Sequence, residues 1–153
     1  MTTFPQPATG AIDGDVHRYA VRVYYEDTDA GGVVYHANYL RWFERARTDL
    51  LILLGVDQRR ALEAGEGGYA VSEASIRYLA PARLGDIVRL ETVAETVRRV
   101  YCVLRQSAWR EATKLSEASF RVGFIGPDGR PRPQPEAWLR AFAAFQAVPK
   151  GHE

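Results

Sequence analysis

The chain has 153 residues, 46% hydrophobic and 25% charged, with a formal charge of +1. That is one soluble globular domain with enough chain to bury a full core, and it excludes an intrinsically disordered chain. The near-neutral charge argues against a dedicated nucleic-acid binder. No apolar run approaches the ~20 residues that span a bilayer, and Cys102, being alone, can build neither an internal disulfide nor a cysteine zinc site.

Residues 1–17 are rich in Pro, Thr and Gly without apolar periodicity, so they are expected to form a flexible N-terminal tail. The start (Met1-Thr-Thr-Phe-Pro5) lacks the basic and apolar stretches of a signal peptide, which makes a reducing, cytoplasmic location the expectation. Over 19–25, Val21, Val23 and Tyr25 alternate with Arg22 and Tyr24, predicting a strand. The segment from Glu26 to Gly32 then reads as a turn. A helix is predicted over 38–54, where Tyr39, Phe43, Ala46, Leu50 and Leu54 share a face and Gly55 is the stop. Residues 56–68 read as a variable connection. Strands follow over 69–79, 86–97, 100–111 and 114–125. The connections after the second and third of these are too short for parallel crossovers, so their neighbours are antiparallel. Trp138, Phe142 and Phe145 predict a short amphipathic terminal helix.

This order gives an α+β fold, an antiparallel five-stranded sheet wrapped around one long helix, with protomers paired along sheet edges. The predicted division is a flexible tail over 1–17, a single domain over 18–148 and a C-terminal tail over 149–153.

Chemistry concentrates at the strand-to-helix junction, where carboxylates, a histidine and tyrosines crowd between Val23 and Tyr39. The first amides of a helix lack intrahelical acceptors and carry partial positive charge, so they can polarise a carbonyl or stabilise an oxyanion. A carboxylate beside them can attack that carbonyl or activate water against it. These ingredients suit acyl transfer to water. From residue types alone, the turn or capping aspartate is the favoured reading of Asp29.

The stretch Tyr25-Glu-Asp-Thr-Asp-Ala-Gly-Gly-Val-Val-Tyr-His-Ala-Asn-Tyr39 resembles the 4-hydroxybenzoyl-CoA thioesterase family of hotdog-fold proteins. Glu44-Arg-Ala-Arg47 and Tyr78-Leu-Ala-Pro-Ala-Arg-Leu84 bring it closest to the Tol-Pal-associated acyl-CoA thioesterases. The resemblance covers about residues 19–125 and implies a hotdog fold that hydrolyses an acyl-CoA to a carboxylate and free CoA. It places the catalytic carboxylate, nucleophile or general base, on Asp29 and the polarising amide at His36 or a close neighbour. The side chains of His36 and Tyr25 also fall at the active site, and Arg98 and Arg99 match a basic segment for CoA phosphates. It further implies a site between protomers of a homodimer or homotetramer, and no metal or cofactor beyond the CoA of the substrate. An acyl carrier protein is a conceivable partner. The competing readings are a hotdog-fold acyl-thioester hydratase or dehydratase, and an acyl-CoA-binding or envelope-associated interaction protein.

The remaining polar residues have structural expectations. Asp27 reads as a turn former, Glu44 and Arg47 as a neighbouring-turn ion pair, and Cys102 as strand packing. Glu73, His17 and His152 carry no site assignment.

Overall fold

Period-two alternation over three successive segments between 87 and 125 and one helical face carry most of the architecture. The structure, a computed structural model, describes residues 3–146. In chain order it contains β1 (Ala11–Asp13), β2 (Val16–Arg22), a 3-10 turn (Tyr25–Asp27), α1 (Asn38–Leu53) and α2 (Gln58–Glu63). There follow β3 (Gly68–Tyr78), β4 (Ile87–Val97), β5 (Tyr101–Arg110), β6 (Thr113–Ile125) and α3 (Glu136–Phe145). One antiparallel sheet holds the strands in the order β1-β2-β4-β5-β6-β3, with register slips in the β4–β5, β5–β6 and β3–β6 pairs. Such irregularities bend a strand and increase its local twist.

The helix lies on one face of this sheet. Tyr39, Trp42, Phe43, Ala46 and Leu50 turn inward, against Val88 and Leu90 of β4 and Phe120 of β6, among others. Trp138, Phe142 and Phe145 of α3 close the other end of the same face with Leu104 and Phe124. Both helices expected from apolar spacing therefore deliver those residues to the core.

Three expectations need correction. The sheet has six strands rather than five, because it begins at Ala11, inside the stretch expected to be a tail. The Gly10 N–H and the Thr9 hydroxyl bind the Asp49 carboxylate of α1 at 2.9 and 3.0 Å, and His17 Nε2 lies 2.7 Å from the same group. A Cβ on Gly10 would sit 2.1 Å from the Arg18 carbonyl oxygen, so only glycine permits this approach. The strand expected over 19–25 starts at Val16 and ends at Arg22, and the connection over 56–68 contains α2, capped by the Asp57 carboxylate on the Arg60 N–H. The expected tail over 149–153 and the domain end at 148 lie outside the described residues.

β3 is an edge strand, paired to β6 on one side only. Its last residue, Tyr78, reaches the segment just before α1 and bears directly on the site described next.

Candidate active site

The connection from β2 to α1 is built on two carboxylates with different duties. Asp27 is buried. Its side chain accepts the Tyr24 N–H at 2.7 Å and the Asn38 Nδ2 amide at 2.8 Å, while its carbonyl accepts the Tyr35 N–H at 2.9 Å. Asp27 thus ties the turn to the first residue of α1, in keeping with its reading as a turn former.

Asp29 stands on a tight loop closed by a bridge between Thr28 and Val34. Its N–H donates to Val33 and its carbonyl accepts the Gly32 N–H, with Gly32 at φ +79° turning the chain. Asp29 Oδ1 accepts the Gly31 N–H at 2.8 Å. Its Oδ2 accepts no hydrogen bond from the described residues, and the side chain is exposed. The carboxylate is therefore held at one oxygen and free at the other.

His36 follows, just before α1. Its N–H and that of Ala37 find no acceptor among the described residues, whereas the Asn38 N–H is spent on Tyr35. With the Tyr39 N–H, which also finds no acceptor among the described residues, these amides are free donors at the positive end of a helix of 16 residues. The His36 ring packs 4.5 Å from that of Tyr35 and meets the edge of Tyr78 at 6.1 Å.

The β3–β4 connection completes the scaffold. The Tyr78 hydroxyl donates to the His36 carbonyl at 2.8 Å, the Val34 N–H donates to Ala82, and Val33 bridges Arg83. Tyr39 lies beneath, 5.6 Å from Tyr78. Burial pushes its phenol up to about 12, with the Arg110 charge opposing, so Tyr39 is a neutral aromatic floor at any working pH.

The structure therefore brings Asp29 and the amides of His36 and Ala37 onto one short, braced segment. Tyr25 stands at its rim, 84% exposed, and its hydroxyl bonds to none of the described residues. Arg98 and Arg99 lie elsewhere. They form the β4–β5 turn, while the start of β4 abuts the site through Gly85 and Asp86, which bond to Val23. The length of β4, about 35 Å, separates them from Asp29 within one chain. Gln134 pins that turn, donating to the carbonyls of Arg98 (2.7 Å) and Arg99 (2.8 Å) and accepting from the Tyr69 hydroxyl at 2.6 Å.

Sequence reasoning missed Tyr78 and Asn38 as supports. Tyr78 is in a motif already singled out, and Asn38 stands at the helix start. It also misassigned Arg47. No Glu44–Arg47 ion pair forms, and Arg47 turns inward to donate to Gln106 Oε1 at 2.9 Å, its guanidinium 4.3 Å over the Phe120 ring. Among the described residues no cluster of His, Cys, Asp and Glu is gathered to hold a metal, and no helix is long and apolar enough to cross a membrane.

A family model described as "Thioesterase superfamily" matches residues 31–117. The acyl-CoA thioester hydrolase YbgC of Escherichia coli O6:H1 is 41% identical over 127 residues, 82% of this chain and 94% of that protein. The acyl-CoA thioesterase YbgC of Haemophilus influenzae is 42% identical over 107 residues, covering 70% and 79%. A 1,4-dihydroxy-2-naphthoyl-CoA thioesterase structure from Synechocystis superposes with a TM-score of 0.79 over 84% of this chain and 96% of that one. At 24% identity, that last likeness speaks for the fold alone.

Proposed function

The chain belongs to the thioesterase superfamily, and from that premise we propose that it hydrolyses an acyl-CoA thioester with the Asp29 carboxylate and the amides before α1. The observation that carries this reading is a carboxylate with one oxygen fixed and one free, on the same braced loop as two unpaired N–H groups. The thioester carbonyl oxygen would accept those N–H groups, which favours negative charge as it develops there. Asp29 Oδ2 then bonds to the carbonyl carbon, the C–S bond breaks and CoA leaves as a thiolate that is protonated by water. Water opens the resulting mixed anhydride to release the acid. In the alternative route Asp29 takes the proton of a water that attacks directly. Both routes develop negative charge on the same carbonyl oxygen, where the helix-start amides can stabilise it, and both consume one water. The His36 ring stands over this segment, where it can contact the substrate or water, and Tyr25 stands at the rim.

A second copy of the chain completes the site in this reading. Asp29, His36 and Tyr25 are all exposed in one protomer, and catalysis of this kind benefits from excluding bulk water. The free edge of β3 offers the means: two β3 strands related by a two-fold axis pair antiparallel and close both exposed edges. That pairing sets the Tyr78 end of one strand near the Gly68 end of the other. The Gly68 end is where Tyr69, Gln134 and the Arg98–Arg99 turn are joined. The partner's turn would then carry its two arginines toward the CoA phosphates of a substrate held at Asp29. An acyl carrier protein could present the same thioester in place of CoA, and a reducing, cytoplasmic setting suits the single buried cysteine.

The test is thiol release from short-chain, long-chain and aromatic acyl-CoAs, together with one acyl-carrier-protein thioester. The expected result is turnover of at least one CoA substrate. Tight acyl-CoA binding with no release of thiol, or conversion of an enoyl-CoA at its double bond, would overturn the reading.

A further inference from the structure

The N–H groups of His36, Ala37 and Tyr39 find no acceptor among the described residues, and each rides on a planar peptide unit whose carbonyl points the opposite way. Whatever holds the carbonyl therefore aims the N–H. The His36 N–H shares its peptide with the Tyr35 carbonyl, which accepts the Asn38 N–H at 2.9 Å, and the Tyr39 N–H belongs to the first peptide inside α1. Neighbouring backbone fixes both. The Ala37 N–H is different. Its peptide carries the His36 carbonyl, which accepts no backbone N–H among the described residues. The Tyr78 hydroxyl is what holds it, at 2.8 Å and from 42 positions along the chain.

Tyr78 is carried by the sheet rather than by the segment it touches. Its backbone pairs with Ser116 of β6, and the following N–H, that of Leu79, donates to Leu115 at 2.8 Å. Its ring meets those of Tyr39 at 5.6 Å and His36 at 6.1 Å, both edge to face. Phenylalanine would make the same ring contacts, so the hydroxyl is the part that packing does not explain, and its one bond among the described residues is to His36. Partial burial raises the phenol above its ordinary pKa, which keeps it a donor across neutral pH. A donor on the carbonyl also polarises the N–H at the other end of the same peptide.

We propose that Tyr78 is a positioning residue for the thioester chemistry: through the His36 carbonyl it aims the Ala37 N–H at the oxygen on which negative charge develops. This rests on the thioesterase reading above. The hydroxyl itself touches neither the substrate nor Asp29. Its effect falls on kcat rather than KM, because the charge that the amide meets is largest in the transition state. Deleting a donor outright from such a site costs about 10²- to 10³-fold, and releasing one to turn away costs less, about tenfold.

The experiment measures kcat and KM for the most rapidly hydrolysed acyl-CoA of the panel above, with wild type, Tyr78→Phe and Ser116→Ala. It also records the infrared stretch of that substrate's isotopically labelled carbonyl, bound to Asp29→Asn with and without each change. Tyr78→Phe should lower kcat about tenfold or more with KM within about threefold, and should abolish most of the downshift that the carbonyl shows on binding. Ser116→Ala removes a comparable bond, from a hydroxyl to the Arg77 carbonyl at 2.8 Å, beside Tyr78 on the same strand pair. It should leave kcat and the downshift within about twofold of wild type. A folded Tyr78→Phe within about threefold of wild type in kcat overturns the proposal, as does a fall in kcat with the downshift intact. Ser116→Ala reproducing both losses overturns it as well, since the effect would then belong to the strand end and not to the hydroxyl. Should Tyr78→Phe fail to fold, Tyr78→3-fluorotyrosine decides: its more acidic hydroxyl should give a downshift at least as large as tyrosine, and a smaller one overturns the proposal. No turnover of any thioester, or no downshift with Tyr78 intact, overturns the thioesterase reading at these amides and this proposal with it.

Discussion

Asp49 and Asp29 stand at opposite ends of α1 and do opposite things with the same functional group. Asp49 is buried and saturated: Thr9 donates to one oxygen, and the other lies within bonding distance of both the Gly10 N–H and His17. Nothing is left for a ligand, and the group anchors the first strands of the sheet to the helix. Asp29 is exposed, accepts one backbone N–H, and keeps an oxygen free beside two unpaired amides. Asp27, two residues before it, sides with Asp49, its carboxylate spent on Tyr24 and Asn38. Which acid is structural and which is available for chemistry is decided by how many donors each already holds.

The strongest way to break that contrast is to empty the saturated side. Asp49→Ala leaves the buried His17 without its partner, and also frees the Thr9 hydroxyl and Gly10 N–H. It is expected to cost about 3 kcal/mol or more of stability in a urea titration. A loss under about 0.5 kcal/mol would show that the N-terminal strands are not anchored there. The corresponding change at Asp29 should leave stability nearly untouched.

A second expectation sharpens the comparison across two copies of the chain. Replacing Arg98 and Arg99 together with Ala should raise KM for acyl-CoA about tenfold with kcat little changed, as expected for lost phosphate contacts. At acyl-CoA well below KM, mixing and refolding that variant with Asp29→Asn should give more activity than the two variants assayed apart, because one of the two sites in a mixed dimer then carries both an intact Asp29 and intact arginines. Activity no greater than the sum of the two separate variants would place the arginines outside the partner's site.

The smallest effect concerns Cys102, whose burial raises its thiol to about 11 from the 9.0 of a free group, with a hydrogen bond from Gln134 opposing. A raised thiol pKa keeps the group protonated until the pH approaches that value. Alkylation at pH 8 should therefore run at least about 100-fold slower than on an exposed cysteine, and recover in denaturant. Rapid labelling of the folded protein would contradict the burial of this strand.

The parts of the fold that could be read from the sequence are those whose signal is local. Strands β4 to β6 show period-two alternation with short connections, and α1 and α3 each place large apolar residues at three- and four-residue spacing. The parts that escaped are held by distant partners. β1 is exposed along its length and carries no alternation; it is fixed through Gly10 to Asp49, 39 residues away. α2 is a helix of 6 residues burying only Ala61, too short for a periodic signal. The spacing of Glu44 and Arg47 predicts an ion pair, but Gln106 and Phe120 drew the guanidinium inward, and neither is visible from the helix sequence. At the site, the resemblance already set Asp29 apart from Asp27, and the hydrogen bonds supply the physical difference: one oxygen of Asp29 is free, whereas both oxygens of Asp27 are spent.

The most direct test of the central claim is kcat for the best acyl-CoA substrate with Asp29→Asn beside wild type, each checked for an unchanged melting temperature. The free oxygen of Asp29 acting on the thioester requires a loss of about 10²-fold or more at equal stability. A folded Asp29→Asn within about threefold of wild type would contradict it, and would return Asp29 to the same structural duty as Asp27.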